Sequence, residues 1–264
     1  MVRAYSSARP VATSLVPTAG HSPEATSPAR VAARVPGFTA TPWQRDPMLR
    51  HDELPGELAE PIRTIINRYE LREQAPLPSR IAVTATVDGE GVTTISQALA
   101  AIVAHEMGAT ACWVDCSWLR GERSGSFVHG RPGLTDLLER PLGVLSALQS
   151  SPDQPRLMCL EVGPVAASRR NTIVRSPEFQ QIIDVLADHC DHLIFDIPPV
   201  LSHASGLGLL RQSDASIFVV RQRTTTTSQF RRLVEATQPT PNIGVVLNRY
   251  RTHIPRFLRS SFGD

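Results

Sequence analysis

The segment 84–94, TATVDGEGVTT, contains the residue types that proteins use to bind a phosphate group. It follows a β-branched run and precedes a helical pattern, so it lies at the turn between a strand and a helix. Gly89 and Gly91 allow the backbone to curl until successive N–H groups face inward and form an anion-binding nest. Thr93 and Thr94 can place one hydroxyl on magnesium and another on phosphate. The loop therefore predicts nucleotide binding, with an ordinary glycine-rich turn capped by threonines as the alternative.

Two aspartates end apolar runs further along the chain. Asp115 ends ACWVD, and Asp196 follows the apolar residues of HLIFDIPPVL. In a doubly wound sheet, the carboxyl ends of the strands meet at one edge, beside the helix N-termini. We therefore predict a magnesium site made of Thr93, Asp115 and Asp196, with the two aspartates as the catalytic candidates. Each carboxylate taken separately could also be a strand-end cap.

These residues must be positioned by strands that alternate with helices. The apolar or β-branched runs are RIAVTAT, TACWVD, RLMCLEV, HLIFDI, ASIFVV and IGVVLN. Helical patterns cover 93–107, 176–190, 203–212 and 225–237. Near-continuous apolar strands are typical of a parallel sheet that is covered on both faces. We predict an α/β fold over residues 80–264, with a doubly wound, mainly parallel sheet and helices on both faces.

Two further segments precede this predicted domain. Residues 1–48 are rich in Ala, Pro, Ser, Thr and Arg and lack periodicity, which predicts a disordered basic tail. Residues 49–79 contain an amphipathic helix and a linker. The apolar stripe of that helix is formed by Leu58, Ile62, Ile65, Ile66 and Tyr69. The chain is thus expected to consist of a tail, a helix with its linker, and one large domain.

The composition favours a globular protein of the cytoplasm. A chain of 264 residues with 41% hydrophobic content is long enough to bury a substantial core. No run approaches the roughly 18 to 20 apolar residues of a membrane-spanning helix, and the first residues lack the apolar block of a secretory signal. Cys112, Cys116, Cys159 and Cys190 lie in or beside apolar segments, which suits reduced core thiols.

Several phrases of the chain match one known pattern. The loop motif PGEGKT is matched by DGEGVT at 88–93, the A-prime motif DADLR by DCSWLR from Asp115, and the Walker B motif DTPP by DIPP at 196–199. GLTDLL at 133–138, SPEF at 176–179, SDASIFVVR at 213–221 and GVVLNR at 244–249 match as well. From about residue 52 onward, the chain resembles the ATPase domain of the bacterial tyrosine kinases of polysaccharide export. These kinases are P-loop ATPases of the MinD/ParA superfamily.

The resemblance implies ATP or ADP with Mg²⁺ as the cofactor. It implies a nucleotide site made of Gly89, Glu90, Gly91, Val92, Thr93, Thr94, Asn248 and Arg249, of which the last two match a position near the adenine base. The chain departs from the family where the chemistry occurs. Val92 replaces the lysine that neutralises the β- and γ-phosphates, in a chain whose 27 basic residues are all arginine, and Ser117 replaces the second A-prime carboxylate. The loss of one charged donor such as the lysine typically costs on the order of 3 to 4 kcal/mol in phosphoryl transfer. The lost carboxylate removes a candidate for handling the magnesium-bound water, so we predict binding without efficient transfer.

The family also implies contacts outside the pocket. Its ExxRxxR helix docks on a neighbouring protomer; Glu60 and Arg63 keep the first two positions, and Ile66 replaces the third. Glu60 and Arg63 are therefore predicted to form an oligomer contact, in a weakened form. The family's C-terminal tyrosine cluster is reduced to Tyr250. The implied partner is a membrane chain-length or co-polymerase protein, which would hold this cytoplasmic chain at the inner membrane.

Three hypotheses follow. The first is a degenerate kinase-like ATPase that regulates exopolysaccharide or capsule synthesis and export. The second is an active tyrosine kinase or ATPase with a variant pocket that a partner completes. The third is a positioning ATPase of the partition type, which is disfavoured because Thr86 and Val87 occupy the region where that family carries an extra lysine. No nucleic-acid partner is expected, since the residues after 50 carry 21 arginines against 23 acids.

Overall fold

An eight-stranded sheet organises the chain in this computed structural model, which describes residues 41–42, 48–49, 51–118, 137–138, 143–151, 153–161 and 165–249. The strands are β1 (Thr41–Pro42), β2 (Arg80–Ala85), β3 (Ala111–Asp115), β4 (Gln149–Ser151), β5 (Gln154–Leu160), β6 (His192–Asp196), β7 (Ala215–Arg221) and β8 (Asn242–Asn248). The helices are α1 (Gly56–Glu73), α2 (Val92–Glu106), α3 (Val144–Ala147), α4 (Ala167–Val174), α5 (Pro177–His189), α6 (Ala204–Leu210) and α7 (Thr227–Ala236). Residues His51–Glu53 form a 3-10 turn.

The strand order is β1-β4-β5-β3-β6-β2-β7-β8. Every neighbouring pair is parallel except β4 and β5, which are antiparallel. The prediction of a doubly wound, mainly parallel sheet is therefore confirmed. Strand β2 lies between β6 and β7, and the β2–α2–β3 connection passes over β6. The loop after β2 consequently opens at the crevice where sheets of this kind bind their ligands.

Helices pack on both faces of the sheet, as predicted. Helices α1 and α2 share one hydrophobic core with it, and α3 to α7 share the other. Successive side chains of β6 alternate between these two cores: Leu193 and Phe195 belong to the core of α3 to α7, and Ile194 belongs to that of α1 and α2. Every residue from Ile95 to Ala104 of α2 is buried, so this helix is enclosed on all sides and is held rigidly relative to the sheet.

The apolar periodicity of the sequence does not predict helix α4, because the helix carries a buried arginine. Arg170 is only 7% exposed. Its Nε donates to the carbonyl of Val165 at 3.1 Å, and its Nη2 donates to the carbonyl of Trp118 at 3.4 Å. A charged residue on the inner face of a helix breaks the apolar pattern, although backbone carbonyls satisfy its hydrogen bonds here.

Some sequence predictions concern residues that the structure does not describe. Residues 1–40 of the predicted tail, most of the GLTDLL motif and Tyr250 lie outside the described residues. Thr41 and Pro42 belong to the predicted tail, but they pair with β4 as the short parallel strand β1. No helix in the described part of the chain is both long and apolar enough to span a bilayer.

Glu60 and Arg63, the residues of the predicted oligomer contact, form ion pairs within this chain. Arg63 on α1 donates through Nε and Nη2 to the carboxylate of Glu106 at the end of α2, at distances of 2.7 to 3.1 Å. Its Nη1 donates to Glu60 at 2.5 Å, and Nε2 of His51 lies 2.7 Å from Glu106. These groups attach α1 to the helix that starts at the glycine-rich loop. An oligomer contact through Glu60 and Arg63 remains a prediction.

We expect Glu106→Gln to lower the free energy of unfolding at pH 7 by about 1 kcal/mol, because the ion pairs are partly exposed to solvent. The hydrogen bond from Arg63, joined by that of His51, lowers the pKa of Glu106 from 4.5 to about 2 against the opposing effect of burial. A carboxylate with a lowered pKa stabilises the fold above pH 4.5, and this contribution disappears as the pH falls through 2. Urea unfolding at pH 7 and pH 2 should therefore show a difference between variant and wild type that vanishes in acid.

The matched control is Glu73→Gln. Glu73 also pairs with an arginine, Arg72, but this contact lies within α1 and is more exposed. Its loss should change the free energy of unfolding by less than about 0.5 kcal/mol. Equal stability of Glu106→Gln and wild type at pH 7 would show that the cluster does not hold α1 on α2.

Candidate phosphate-binding site

The loop between β2 and α2 borders a cavity of about 330 Å³. The cavity is lined by Val87, Asp88, Gly89, Gly91, Val92, Thr93, Ser117, Asp196, Ile197, Pro198, Pro199 and Arg249. These residues come from the loop, the start of α2, the segment after β3 and the ends of β6 and β8. The volume lies in the range of small-molecule sites, so the loop faces open space and is not collapsed.

Two glycines shape the loop. Gly91 is the residue before α2 and has φ of 101°, while Gly89 has φ of 81°. Both values lie in the left-handed region that residues with a Cβ avoid. The turn at Gly91 directs the N-terminus of α2, with Val92 and Thr93, at the cavity. Free N–H groups and the positive end of the helix dipole make this position favourable for an anion.

The side chain of Glu90 points into the protein and anchors the loop. It is 0% exposed. Its Oε2 accepts hydrogen bonds from the backbone N–H and the hydroxyl of Thr86, both at 2.8 Å, and from the N–H of Val87 at 3.1 Å. Its Oε1 accepts from the N–H of Arg221 at 3.4 Å and from the hydroxyl of Thr225. Glu90 thus ties the loop to the end of β7, and its side chain is absent from the cavity lining.

Asn248, at the end of β8, holds the loop from another side. Its Nδ2 donates to the carbonyl of Glu90 at 2.7 Å, and its Oδ1 accepts from the N–H of Arg249 at 2.8 Å. A Cβ placed on Gly91 would lie 2.1 Å from this Nδ2. Only glycine leaves room for the Asn248 carboxamide at this point.

A buried hydrogen-bonded chain fixes the first turn of α2. Trp113 on β3 donates through Nε1 to Oγ of Ser96 at 2.9 Å. Ser96 in turn donates to the carbonyl of Thr93 at 3.0 Å. The position of Thr93, a predicted phosphate and magnesium ligand, is therefore set by a residue of the neighbouring strand.

Asp115 and Asp196 are register partners on β3 and β6. They are 5% and 1% exposed. Asp196 lines the cavity, while Oδ1 of Asp115 accepts from the N–H of Ser117 at 3.0 Å and from its hydroxyl at 2.7 Å. Burial raises the pKa of the adjacent Cys116 thiol, and the two carboxylates raise it further. Two buried carboxylates next to one another fit a divalent cation, which offsets their charge.

The arrangement fits Mg²⁺ held together with a phosphate ligand. Within the described residues, no three His, Cys, Asp or Glu side chains form a metal-binding cluster. Mg²⁺ commonly needs only one or two carboxylates when substrate phosphates and waters complete its shell. Asp196 and Thr93 both line the cavity, with Asp115 beside Asp196.

Val92, at the lysine position, is an apolar contact. It is half-buried and packs against the core that α1 and α2 share with the sheet, while it also lines the cavity. It offers no charge or hydrogen bond to a phosphate. The loop and the N-terminus of α2 therefore border the cavity without a cation at position 92, where the resemblance implies a lysine.

The predicted site residues divide into two groups. Gly89, Gly91, Val92, Thr93, Asp196 and Arg249 line the cavity. Glu90, Thr94, Asp115 and Asn248 are absent from the lining: Thr94 is exposed, Asp115 is capped by Ser117, and the other two support the loop. Thr86, Ser96, Trp113 and Thr225 were not predicted, because their roles depend on contacts between distant parts of the chain.

Comparisons with known proteins agree with the geometry. The tyrosine-protein kinase YwqD of Bacillus subtilis is 24% identical over 193 residues, which cover 72% of this chain and 80% of YwqD. The crystal structure of the VpsO kinase domain matches with a TM-score of 0.62 and 24% identity, over 74% of this chain and 95% of that domain. A McdA variant from Cyanothece in complex with ATP matches with a TM-score of 0.50 and 13% identity, over 64% and 70% of the two chains. No family model matches. The predicted resemblance to the bacterial tyrosine kinase domains and to the P-loop ATPase fold is confirmed.

Proposed function

We propose that this chain, which has the fold of the bacterial tyrosine kinase domains, is a nucleotide-binding regulatory subunit of exopolysaccharide or capsule synthesis and export. We further propose that its phosphoryl transfer is weak or absent. One observation carries the proposal: the glycine-rich loop and the N-terminus of α2 border an open cavity, and the apolar, half-buried Val92 lies at its edge. The helix N-terminus at the cavity supports binding of a phosphate chain, and Val92 supports the loss of chemistry.

The proposed ligand is ATP or ADP with Mg²⁺. The N-terminus of α2 and the loop would bind the phosphates, and Thr93 and Asp196 would hold the metal with Asp115 behind them. Bound Mg²⁺ supplies charge that neutralises the phosphate oxygens. The ATP complex of the McdA variant supports a nucleotide in this fold. Binding of this kind needs the main-chain donors and the metal, and does not require the loop lysine.

Phosphoryl transfer makes a stricter demand than binding. It depends on charged donors that are already in place when charge develops in the transition state. Val92 removes one such donor, and Ser117 donates its hydroxyl to Asp115, where the family has a second carboxylate. The two changes act on the same step, so we expect the wild-type chain to bind nucleotide with little or no turnover.

Val92→Lys tests this proposal directly. A lysine at the start of α2 would add a charge-assisted hydrogen bond to the phosphates, and nucleotide affinity should rise by about 10- to 100-fold. Isothermal titration with ADP and with a non-hydrolysable ATP analogue, each with Mg²⁺, measures the change. Val92→Met is the matched control, because it lengthens the side chain without adding charge and should leave the affinity within about twofold.

Two results would contradict the proposal. The first is wild-type turnover of ATP, or phosphotyrosine on the chain or a partner, that disappears in Asp196→Ala. The second is wild-type protein that binds no nucleotide at all under conditions where Val92→Lys does. The first result would favour an active kinase with a variant pocket, and the second would remove the nucleotide from the function.

The proposed partner is a membrane chain-length or co-polymerase protein, which would hold the chain at the cytoplasmic face of the inner membrane. The resemblance to polysaccharide-export kinases supports this. Co-purification with the chain-length protein encoded in the same genome, with and without Mg²⁺ and ADP, tests it. Recovery of that protein at background level in both conditions would reject the partner.

A further inference from the structure

The charges around the cavity are unevenly distributed. Among the described residues that line it, Asp88 and Asp196 are anionic, and Arg249 alone is cationic. A phosphate chain that enters the cavity therefore meets two carboxylates and one guanidinium. Metal at Asp196 can offset one carboxylate, but a second source of positive charge is needed to balance a di- or triphosphate.

Arg249 is held beside the loop by one carboxamide. Asn248 accepts the N–H of Arg249 through Oδ1 and donates through Nδ2 to the carbonyl of Glu90. The backbone of Arg249 is left-handed, with φ of 53°, which costs an L-residue about 1 kcal/mol or more. Such a conformation persists where the surroundings impose it, and it is enriched at ligand sites.

We propose that Arg249 is the cation that binds the phosphate chain in place of a loop lysine, instead of the adenine contact that the resemblance implies, and that Asn248 positions its backbone. The inference rests on the proposed nucleotide site. A guanidinium offers a planar fork of donors that matches two phosphate oxygens at once. Arg249 is exposed, so its head can reach a ligand without leaving a buried partner.

This role is one of binding and does not restore the chemistry. A long, exposed side chain is ordered by the ligand itself, so it lacks the preorganisation that makes a charged donor effective in a transition state. Arg249 thus accounts for how a chain without lysine retains an anionic ligand while its turnover is lost.

The test compares Arg249→Gln with Arg223→Gln. Arg223 is also exposed, also left-handed at φ of 65°, and also follows the carboxyl end of a strand, but it does not line the cavity. Wild type and both variants are titrated calorimetrically with ADP and Mg²⁺, with adenosine, and with inorganic tripolyphosphate. We expect Arg249→Gln to lower the affinity for ADP and for tripolyphosphate by about 10- to 100-fold. The affinity for adenosine should stay within about twofold of the wild-type value. Arg223→Gln should match wild type for all three.

The outcomes separate the two proposals. If wild type binds tripolyphosphate through Arg249 but binds no nucleotide, the inference stands and the proposed function fails. If Arg249→Gln lowers the affinities for ADP and adenosine by the same factor, Arg249 contacts the base, and the inference is overturned. The inference is also overturned if Arg249→Gln leaves ADP and tripolyphosphate unchanged, or if wild type binds neither.

Discussion

Replacing Glu90 by alanine should lower the free energy of unfolding by about 3 to 5 kcal/mol and remove ligand binding at the loop. The carboxylate is fully buried and accepts hydrogen bonds from Thr86, Val87, Arg221 and Thr225. Alanine leaves the buried N–H and hydroxyl of Thr86 and the half-buried N–H of Val87 without this acceptor. Each unsatisfied buried donor costs about 1 to 3 kcal/mol. Chemical denaturation, followed by ADP titration of the folded fraction, measures both effects.

Glu90→Gln and Glu235→Ala are the controls. Glutamine keeps a carbonyl oxygen as the acceptor for Thr86 and Val87, and its amide can donate to the hydroxyl of Thr225. The N–H of Arg221 loses the carboxylate oxygen but keeps the hydroxyl of Thr225 as an acceptor, so the free energy of unfolding should fall by about 1 kcal/mol. Glu235 is exposed on α7, and its replacement should change the free energy of unfolding by less than about 0.5 kcal/mol. A Glu90→Ala protein as stable as Glu235→Ala would show that the loop is held by other contacts.

Gly91→Ala should lower the free energy of unfolding by about 2 to 4 kcal/mol and weaken nucleotide binding at least 100-fold. Alanine at φ of 101° is strained, and its Cβ would lie 2.1 Å from Nδ2 of Asn248. Asn248 must then move away and give up its hydrogen bonds to Glu90 and Arg249. The loop would then lose its shape at the N-terminus of α2. Thermal unfolding and ADP titration are the measurements.

Gly89→Ala separates backbone strain from the contact with Asn248. Gly89 also has positive φ, of 81°, but a Cβ there has nothing within 4 Å. Gly89→Ala should therefore lower the free energy of unfolding only by the backbone strain, about 1 to 2 kcal/mol. In an Asn248→Ala background, Gly91→Ala should cost no more than Gly89→Ala, because the clash is gone. Full additivity of Gly91→Ala and Asn248→Ala would exclude the proposed contact.

The supports of the loop do not depend on the side chain at position 92. Glu90 and Asn248 hold the loop through hydrogen bonds to its own backbone and to the ends of β7 and β8. None of these contacts involves position 92. Val92 instead adds an apolar contact with the core. The shape of the loop therefore depends on Glu90 and Asn248, and its charge depends on the residue at position 92. A substitution at position 92 can change the charge while the loop keeps its shape.

The elements near the site were predictable because their signals are local. Strand β2 and helix α2 were located to within one residue, and Asp115 and Asp196 lie at strand ends, as their apolar runs indicated. The periodicity of a strand or a buried helix appears within a few consecutive residues. The short strands β1 and β4, the four-residue helix α3 and the helix α4 carry no such signal, and the sequence does not predict them.

The sequence by itself determined the alternation of strands and helices, the glycine-rich turn before α2, and the absence of a lysine from the loop, since each is a property of adjacent residues. Only the tertiary structure decided that Glu90 supports the loop and does not line the cavity, that Asn248 joins the carbonyl of Glu90 to the N–H of Arg249, and that Arg63 binds Glu106. The physical reason is separation along the chain: Glu90 meets Thr225 across 135 residues and Asn248 across 158. Contacts of that range are set by the order of strands in the sheet, which local patterns do not encode.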